Sequence, residues 1–236
     1  MTSAQAKLSP SEISLDAVSV AFGDRRALSR VSVILTHRRI GVIGSNGSGK
    51  STFARLLNGL VTPTTGTLRV GGLNPVTEAK ELRRRVGFIF SNPDAQIVMP
   101  TVAEDVAFSL RGRGLERAVI DQRVSATLET YGLAAHANAP AHNLSGGQKQ
   151  LLALCAILGG EPELLVADEP TALLDAANTR RIGNYLLDEL PQQLVLVTHD
   201  LALAARCDLV LRFSAGRLVD QGNPATVIER YALEHG

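Results

Sequence analysis

The sequence has no excess of charge of either sign. Its 236 residues include 24 lysines and arginines and 23 aspartates and glutamates, which almost cancel. Because nucleic-acid backbones are bound through concentrated positive charge, this balance argues against a nucleic-acid partner. The local basic runs, at residues 83–85 and at Arg111, Arg113 and Arg117, are explained more simply by solvated helix faces or turns.

Cysteines with the spacing of a metal site or a disulfide framework are also missing. Cys155 and Cys207 are the two cysteines, and both lie in apolar stretches without a CxxC pattern. A disulfide framework and a zinc site are therefore disfavoured. The sequence favours a reducing cytoplasm.

Long apolar runs are absent as well. No stretch approaches the roughly 18 to 20 apolar residues that cross a bilayer, and LLALCAILGG comes nearest. A role at a membrane would therefore need a partner protein. The N-terminal stretch MTSAQAKLSPSE has no apolar core after its lysine, so we expect a frayed leader over about residues 1–12 and not a signal peptide.

The sequence does contain alternating short apolar runs and helical stretches, which predict an α/β fold. Runs separated by turn residues predict a small, partly antiparallel sheet from residues 13–22, 31–35, 40–43 and 68–70. Continuous apolar runs predict a mainly parallel core sheet from residues 86–90, 164–167, 194–198 and 209–213. Helices are expected at residues 102–110, 115–131 and 146–158, with a last one near 225–231.

The distribution of these elements predicts one domain with an insertion. No internal repeat or low-complexity linker divides the chain. Strand patterns are scarce between Phe90 and Leu164, where helical patterns dominate. We therefore expect an α/β core at about 13–90 and 161–236, with a helical subdomain at about 91–160 inserted into it.

A glycine-rich segment, GSNGSGKST, lies between the apolar run 40–43 and a helical stretch that begins near residue 52. It fits the pattern G-x-x-x-x-G-K-[ST], in which backbone N–H groups, a helix N-terminus and the lysine hold phosphates. Lys50 would reach the terminal phosphates, and Ser51 would supply its hydroxyl to Mg²⁺. The alternative is a glycine-rich turn that binds nothing. The candidate phosphate-binding residues are Gly44, Ser45, Asn46, Gly47, Ser48, Gly49, Lys50, Ser51 and Thr52.

A second segment, ELLVADEP at residues 163–170, places two adjacent carboxylates where a predicted strand ends. Asp168 would help to hold Mg²⁺ through its water shell, and Glu169 would orient or deprotonate an attacking water. Alone, the segment is explained equally well by a strand-ending turn. Coupled to the phosphate-binding loop, it indicates metal-assisted phosphoryl chemistry.

A third segment, NLSGGQKQ at residues 143–150, brings another glycine pair to a helix start. Ser145 is a natural N-cap for that helix. A cap alone accounts for Ser145. It does not account for a second site suited to an anion in a chain that already has one.

These segments, together with ALLD at 172–175 and VTHD at 197–200, occur in the order and spacing of the ATP-binding cassette (ABC) ATPases. The chain resembles that family from about residue 13 to 222. The resemblance implies a P-loop NTPase with a mainly parallel sheet core, a small antiparallel β subdomain and an inserted helical subdomain. It also implies that ATP and Mg²⁺ are the cofactors.

In that family two cassettes pair head to tail, so that the signature segment LSGGQ of one copy closes over the ATP held by the other. The resemblance implies that Ser145 and Gly147 contact a γ-phosphate across a dimer interface, and that Asp175 lies in a loop at that interface. The signature segment consists of Leu144, Ser145, Gly146, Gly147 and Gln148.

Two further residues take their roles from the resemblance. His199 would contact the γ-phosphate near Glu169, although alone it is better explained as an ordinary strand-end histidine. Phe22 takes the place of the family's adenine-stacking aromatic. A single aromatic otherwise belongs more often to a core.

The segment FSNPDAQIVMPTVAEDVAF, residues 90–108, narrows the branch. It resembles the FQNPDxQ segment of the energy-coupling factor (ECF) ATPases, which drive import of vitamins and transition-metal ions. Where the family has a catalytic glutamine that touches Mg²⁺ and the attacking water, this chain has Ser91. A serine hydroxyl is shorter and lacks the amide, so we expect it to act through a water.

The resemblance therefore implies an ATP-hydrolysing motor subunit, similar to the compact ATPases of biotin and of cobalt or nickel importers, with biotin favoured. Its partners would be a second ATPase copy, in a homodimer or a heterodimer, an integral membrane coupling protein and a substrate-capturing membrane subunit. It would lie peripherally on the cytoplasmic face of the cell membrane. The alternatives are a soluble ABC ATPase of repair, chromosome maintenance or translation, and an ATP-sensing module with little turnover.

Overall fold

The computed structural model describes residues 10–111 and 114–235. Most of the expected leader, residues 1–9, lies outside this range, as does Arg113 of the basic run. Within the described residues, no helix is both long enough and apolar enough to cross a bilayer.

A six-stranded sheet forms the core, in the order β5-β6-β7-β3-β8-β9. All neighbours are parallel except β8 and β9, which form an antiparallel pair. The strands β3, β5, β6 and β7 are buried along their whole length, which the continuous apolar runs predict for β5, β6 and β7. The strands are β3 (Arg39–Ile43), β5 (Val86–Ile89), β6 (Leu164–Asp168), β7 (Gln193–Val197), β8 (Leu209–Ser214) and β9 (Arg217–Gly222).

A separate antiparallel sheet of three strands lies beside the core, in the order β2-β1-β4. Its strands are β1 (Ile13–Phe22), β2 (Arg25–Leu35) and β4 (Thr65–Val70). The second half of β2 alternates buried and exposed residues, as expected when one face of a sheet is covered.

One strand assignment from the sequence is wrong, and one strand is missing from the prediction. The run 40–43 was expected in the small sheet, but β3 pairs with β7 and β8 in the core sheet, because its side chains are buried on both faces. The strand β9 was not expected, because it is half exposed and lacks a continuous apolar run.

Three helices, α3 (Val102–Leu110), α4 (Arg117–Thr130) and α5 (Gly146–Leu158), lie between β5 and β6 along the chain. The expected helices 102–110 and 146–158 are confirmed, and α4 is slightly shorter than the predicted 115–131. The positions of these helices agree with an inserted helical subdomain, whose limits at about 91 and 160 stay a prediction.

The remaining helices pack around the core sheet. The basic run 83–85 lies in the last turn of α2, where the negative end of the helix dipole stabilises cations. This position confirms the interpretation of the run as part of a helix face. The helix α6 continues into a π-helical turn, Tyr185–Glu189. The helices are α1 (Lys50–Leu57), α2 (Ala79–Arg85), α6 (Ala176–Asn184), α7 (Leu201–Ala204) and α8 (Pro224–His235).

One apolar cluster lies between the small sheet, α1 and one part of the core sheet, and a second joins the core sheet to α3, α4 and α5. Phe53 of α1 is fully buried in the first cluster, and its ring centroid lies 5.1 Å from that of Phe213 in β8. This contact fixes α1 against the sheet, and with it the loop that precedes α1.

The substitution Phe53→Ala should therefore lower the free energy of unfolding by about 3–5 kcal/mol, since it leaves a cavity in a packed core. Urea denaturation followed by circular dichroism measures this loss. The matched control is Leu233→Ala, because Leu233 is 81% exposed in α8 and its truncation should change stability by less than about 0.5 kcal/mol. Equal losses in the two variants would contradict the packing of α1.

Candidate nucleotide-binding site

The candidate site lies at the carboxyl edge of the core sheet. The strands β3 and β6 are both neighbours of β7, so their carboxyl ends open on the same edge. The phosphate loop, residues 44–52, follows β3. Asp168 is the last residue of β6, and Glu169 comes directly after it. In open parallel sheets, ligands bind in the crevice at this edge.

The backbone of the phosphate loop requires glycine. Gly44 has φ of 147°, and an added Cβ would lie 2.2 Å from the carbonyl oxygen of Phe213. Gly47 has φ of 76°, with open space around the position of a Cβ. Gly49 precedes α1 and provides no side-chain cap, so the first N–H groups of the helix are free of side-chain partners. The loop therefore presents backbone donors to an anion.

Lys50 lies inside this loop. Its Nζ donates to the carbonyl oxygens of Gly44 at 2.7 Å and Ser45 at 3.0 Å. Burial lowers the pKa of the Lys50 amine, and the carboxylates of Glu169 and Asp168 partly oppose this effect. A phosphate beside Nζ would supply the anionic partner that the two carbonyls provide only as dipoles.

Ser51 and Asp168 bring together two segments that are distant in sequence. The Ser51 hydroxyl donates to Oδ1 of Asp168 at 3.0 Å. Burial raises the pKa of the Asp168 carboxyl, and the hydrogen bond from Ser51 opposes that shift. A hydroxyl and a carboxylate are hard oxygen donors of the kind that Mg²⁺ prefers, so this pair fits the expected ion.

Glu169 is hydrogen-bonded to His199 at this edge of the sheet. Oε2 of Glu169 lies 2.8 Å from Nδ1 of His199 and accepts a hydrogen bond from the His199 backbone N–H at 3.2 Å. Glu169 has φ of 54°, which is strained for a residue with a side chain. The turn at Glu169 directs its carboxylate into the crevice, where it is only 19% exposed.

A cavity of about 420 Å³ joins the phosphate loop to Glu169. Phe22 is 54% exposed and pairs with Arg25 at the β1–β2 turn, next to the cavity wall. The contributions of the β1–β2 and β8–β9 turns are not predictable from the sequence, because neither turn carries a motif. The lining residues are Arg25, Arg26, Ala27, Asn46, Gly47, Ser48, Gly49, Lys50, Ser51, Thr52, Glu169, Ala215 and Gly216.

The signature segment lies elsewhere and does not line this cavity. Ser145 caps α5, because its hydroxyl accepts from the Gln148 N–H and the Gln148 carboxamide accepts from the Ser145 N–H, which confirms the predicted cap. Ser145 and Gly146 are exposed, whereas Leu144 and Gly147 are buried. The signature segment and the nucleotide cavity of one chain therefore lie on separate surfaces.

Ser91 and Asp175 also lie outside the nucleotide cavity. Ser91 lines a different cavity of about 110 Å³ together with Gln150 of α5, whose buried Nε2 has no hydrogen-bond partner among the described residues. Asp175 caps α6 by accepting the Asn178 N–H at 2.8 Å. That hydrogen bond and others lower the pKa of the Asp175 carboxyl.

The chain is similar to known proteins in sequence and in fold. The sequence profile of the family described as ABC transporter matches residues 28–172 of the chain. The biotin transport ATP-binding protein BioM of Rhizobium etli is 45% identical to it over 93% of this chain and 97% of that protein. The chain belongs to the ABC transporter family.

Two further similarities place this ABC ATPase in the energy-coupling factor branch. EcfA1, an energy-coupling factor transporter ATP-binding protein of Latilactobacillus sakei, is 38% identical over 86% of this chain and 74% of that protein. The solved structure of cbiO1 from Clostridium perfringens, part of the ABC transporter complex cbiONQ, superimposes with a TM-score of 0.83 at 29% identity, over 94% of this chain and 92% of that one.

These findings confirm the fold class and the assignment as an ATP-binding, ATP-hydrolysing subunit of an ECF-type transporter. The alternative of a soluble ABC ATPase for repair, chromosome maintenance or translation is not favoured, because these relatives are named for transport. The individual roles of the site residues stay predictions.

The structure brings together five of the predicted site residues within one chain: Lys50, Ser51, Asp168, Glu169 and His199.

If the loop around them binds phosphate, Gly44→Ala should weaken ATP binding at least about tenfold, since the new Cβ meets a backbone oxygen and left-handed φ costs about 1–2 kcal/mol. Gly47→Ala has only the second of these costs and should weaken binding about fivefold. Isothermal titration calorimetry compares the two; equal losses would contradict the loop geometry.

Proposed function

We propose that this ABC ATPase drives the import of biotin, and that it works as a head-to-tail pair in which each copy completes the other's Mg·ATP site. The observation that carries the proposal is that the candidate ATP-binding residues of one chain lie on two different surfaces. The phosphate loop, Asp168, Glu169 and His199 meet at one edge of the core sheet, whereas Ser145 is exposed on another surface. A second copy of the chain would supply the contact between Ser145 and the ATP, which one chain cannot make by itself.

Biotin is favoured by the name of the Rhizobium etli relative, which matches this chain over nearly all its length. The transported molecule does not touch an ATP-binding subunit. The support is therefore the similarity of the whole ATPase to a protein named for biotin transport, and not a binding pocket.

The phosphate loop would bind the triphosphate through its backbone N–H groups and the α1 N-terminus. Lys50 would exchange its hydrogen bonds to Gly44 and Ser45 for bonds to the terminal phosphates. Ser51 and Asp168 would hold Mg²⁺, which when bound neutralises charge on the phosphate oxygens. The Ser51–Asp168 pair already lies at hydrogen-bonding distance, so little rearrangement is needed.

Glu169 would act as the general base for the attacking water. Its carboxylate lines the cavity beside the phosphate loop, and His199 fixes one of its oxygens through two hydrogen bonds. With Oε2 held, Oε1 is the oxygen left to accept the proton of a water between Glu169 and the γ-phosphate. His199 would also reach the γ-phosphate once the dimer closes.

Closure of the pair would be passed to a membrane coupling protein through residues 91–96. This segment contacts α5, because Nζ of Lys149 pairs with Asp94 at 2.7 Å. A force on the segment would therefore act on the helix that carries the signature. We place the ATPase on the cytoplasmic face of the membrane, with the coupling protein and a substrate-capturing subunit as its partners.

The substitution Glu169→Gln should lower phosphate release at least about 100-fold, since it removes a general base, and should trap an ATP-bound dimer. Phosphate release and light scattering measure the two effects. In membrane vesicles that contain the co-purified partners, the same variant should abolish ATP-dependent uptake of radiolabelled biotin by the assembled transporter.

Three outcomes would contradict parts of this proposal. Parental hydrolysis by Glu169→Gln would contradict the role of Glu169. Slow phosphate release by the parent protein, whether or not the membrane partners are present, would favour an ATP-sensing module. Uptake of another vitamin or a metal ion, in place of biotin, would contradict the substrate alone.

The substitution Ser91→Gln should raise hydrolysis in the assembled complex by about two- to tenfold, because the new amide would add one hydrogen bond to the attacking water, as the family's glutamine does. Within one chain Ser91 lies outside the nucleotide cavity, so the added amide would act on hydrolysis only in the closed dimer of the assembled complex. Ser91→Met is the matched control, because it has similar length and no amide. Equal turnover in the parent and both variants would show that this side chain does not limit hydrolysis.

A further inference from the structure

Gly147, in the first turn of the signature helix α5, is packed against Asn178 of α6. We propose that Asn178 is a positioning residue that fixes the signature segment to the Asp175 loop, so that both act as one unit on the partner's nucleotide. This inference rests on the proposed head-to-tail function and assigns a role to a residue that no sequence motif indicates.

The contact leaves no space for a side chain at residue 147. An added Cβ on Gly147 would lie 2.4 Å from both Cγ and Oδ1 of Asn178, and 2.8 Å from its Nδ2. A Cβ on the neighbouring Gly146 would meet nothing closer than 3.8 Å. Of the two glycines in the signature segment, therefore, only Gly147 is required by packing within its own chain, and the Asn178 carboxamide is the group that requires it.

Asp175 fixes the orientation of that carboxamide. Its Oδ1 accepts the Asn178 backbone N–H at 2.8 Å, and its Oδ2 accepts the Asn178 Nδ2 at 3.1 Å. These hydrogen bonds lower the pKa of Asp175, so the carboxylate stays ionised and keeps both contacts at neutral pH. Asn178 is thus bonded to Asp175 through its backbone and through its carboxamide, and the carboxamide bond favours the orientation that packs against Gly147.

The same turn of α5 also contacts His136, which lies between α4 and α5 along the chain. The Gln148 carboxamide accepts the Ser145 N–H through Oε1 at 2.9 Å, so its Nε2 donates to Nε2 of His136 at 3.0 Å. The start of α5 therefore lies between the His136 contact and the Asn178 contact. Only the second of these links it to α6 and the Asp175 loop.

Asn178 does not line the nucleotide cavity of its own chain. Its removal should therefore leave the binding of ATP to a single chain unchanged and weaken only the closure of two chains. Residues in contact are coupled by an interaction energy that corresponds to about two- to 100-fold in an equilibrium constant. Loss of the Asn178 contact should weaken dimer closure by a factor in that range.

The first test uses the Glu169→Gln background, in which ATP should trap dimers. Adding Asn178→Ala should raise the ATP concentration at half-maximal dimerisation at least about fivefold, within the range expected for contacting residues. The affinity of the monomer for fluorescent ATP should not change. The matched control is Asn184→Ala, because Asn184 is exposed on the same helix.

The second test removes the steric conflict. Gly147→Ala should reduce hydrolysis. The double variant Gly147→Ala, Asn178→Ala should hydrolyse ATP at least about fivefold faster than Gly147→Ala alone, since truncation of Asn178 removes the three atoms that the new Cβ would meet. A defect caused by Gly146→Ala should not be relieved in this way. A merely destabilising role for Asn178 would make both combined variants worse.

The outcomes separate this inference from the proposed function. If Glu169→Gln itself fails to dimerise with ATP, the head-to-tail function fails. If Glu169→Gln dimerises and Asn178→Ala leaves the midpoint unchanged, or if the Gly147→Ala and Asn178→Ala effects simply multiply, the positioning role of Asn178 is wrong and the dimer stands.

Discussion

The hydrogen bond between Ser51 and Asp168 is the contact on which the nucleotide site depends. It joins the start of α1 to the end of β6, which are 117 residues apart in sequence. The two segments meet because β3 and β6 lie on either side of β7, so the strand order places both carboxyl ends at one edge. The burial of Phe53 then holds α1, and the phosphate loop before it, against that edge.

Burial also explains why this edge is suited to a charged ligand. It lowers the pKa of Lys50 and raises that of Asp168, which means that each charged form is costly in its surroundings. A phosphate next to Lys50 and a divalent cation next to Asp168 would offset both costs. The strained backbone of Glu169 directs a third group toward the same space, with His199 fixing one of its oxygens.

Local patterns predicted most of the fold and the residues of the site. The phosphate loop, Asp168 and Glu169 occur in motifs whose spacing follows from phosphate chemistry, and the α5 cap follows from Ser145 and Gln148. The sheet to which residues 40–43 belong and the Asn178 contact depend on tertiary packing, which a linear pattern does not record. Arg25 and Arg26 escaped notice because only the fold brings their hairpin to the cavity.

The central claim is that ATP is held between Lys50 of one copy and Ser145 of another. Cysteines introduced at the exposed residues Asn46 and Asn143, each in a separate chain carrying Glu169→Gln, test it most directly, since Asn143 lies beside Ser145 and leaves it intact, and the native Cys155 and Cys207 are buried. With a short bifunctional thiol reagent, the account predicts rapid linkage between the two chains with ATP and little linkage without it. Linkage that is absent, or equally fast without ATP, would contradict the claim.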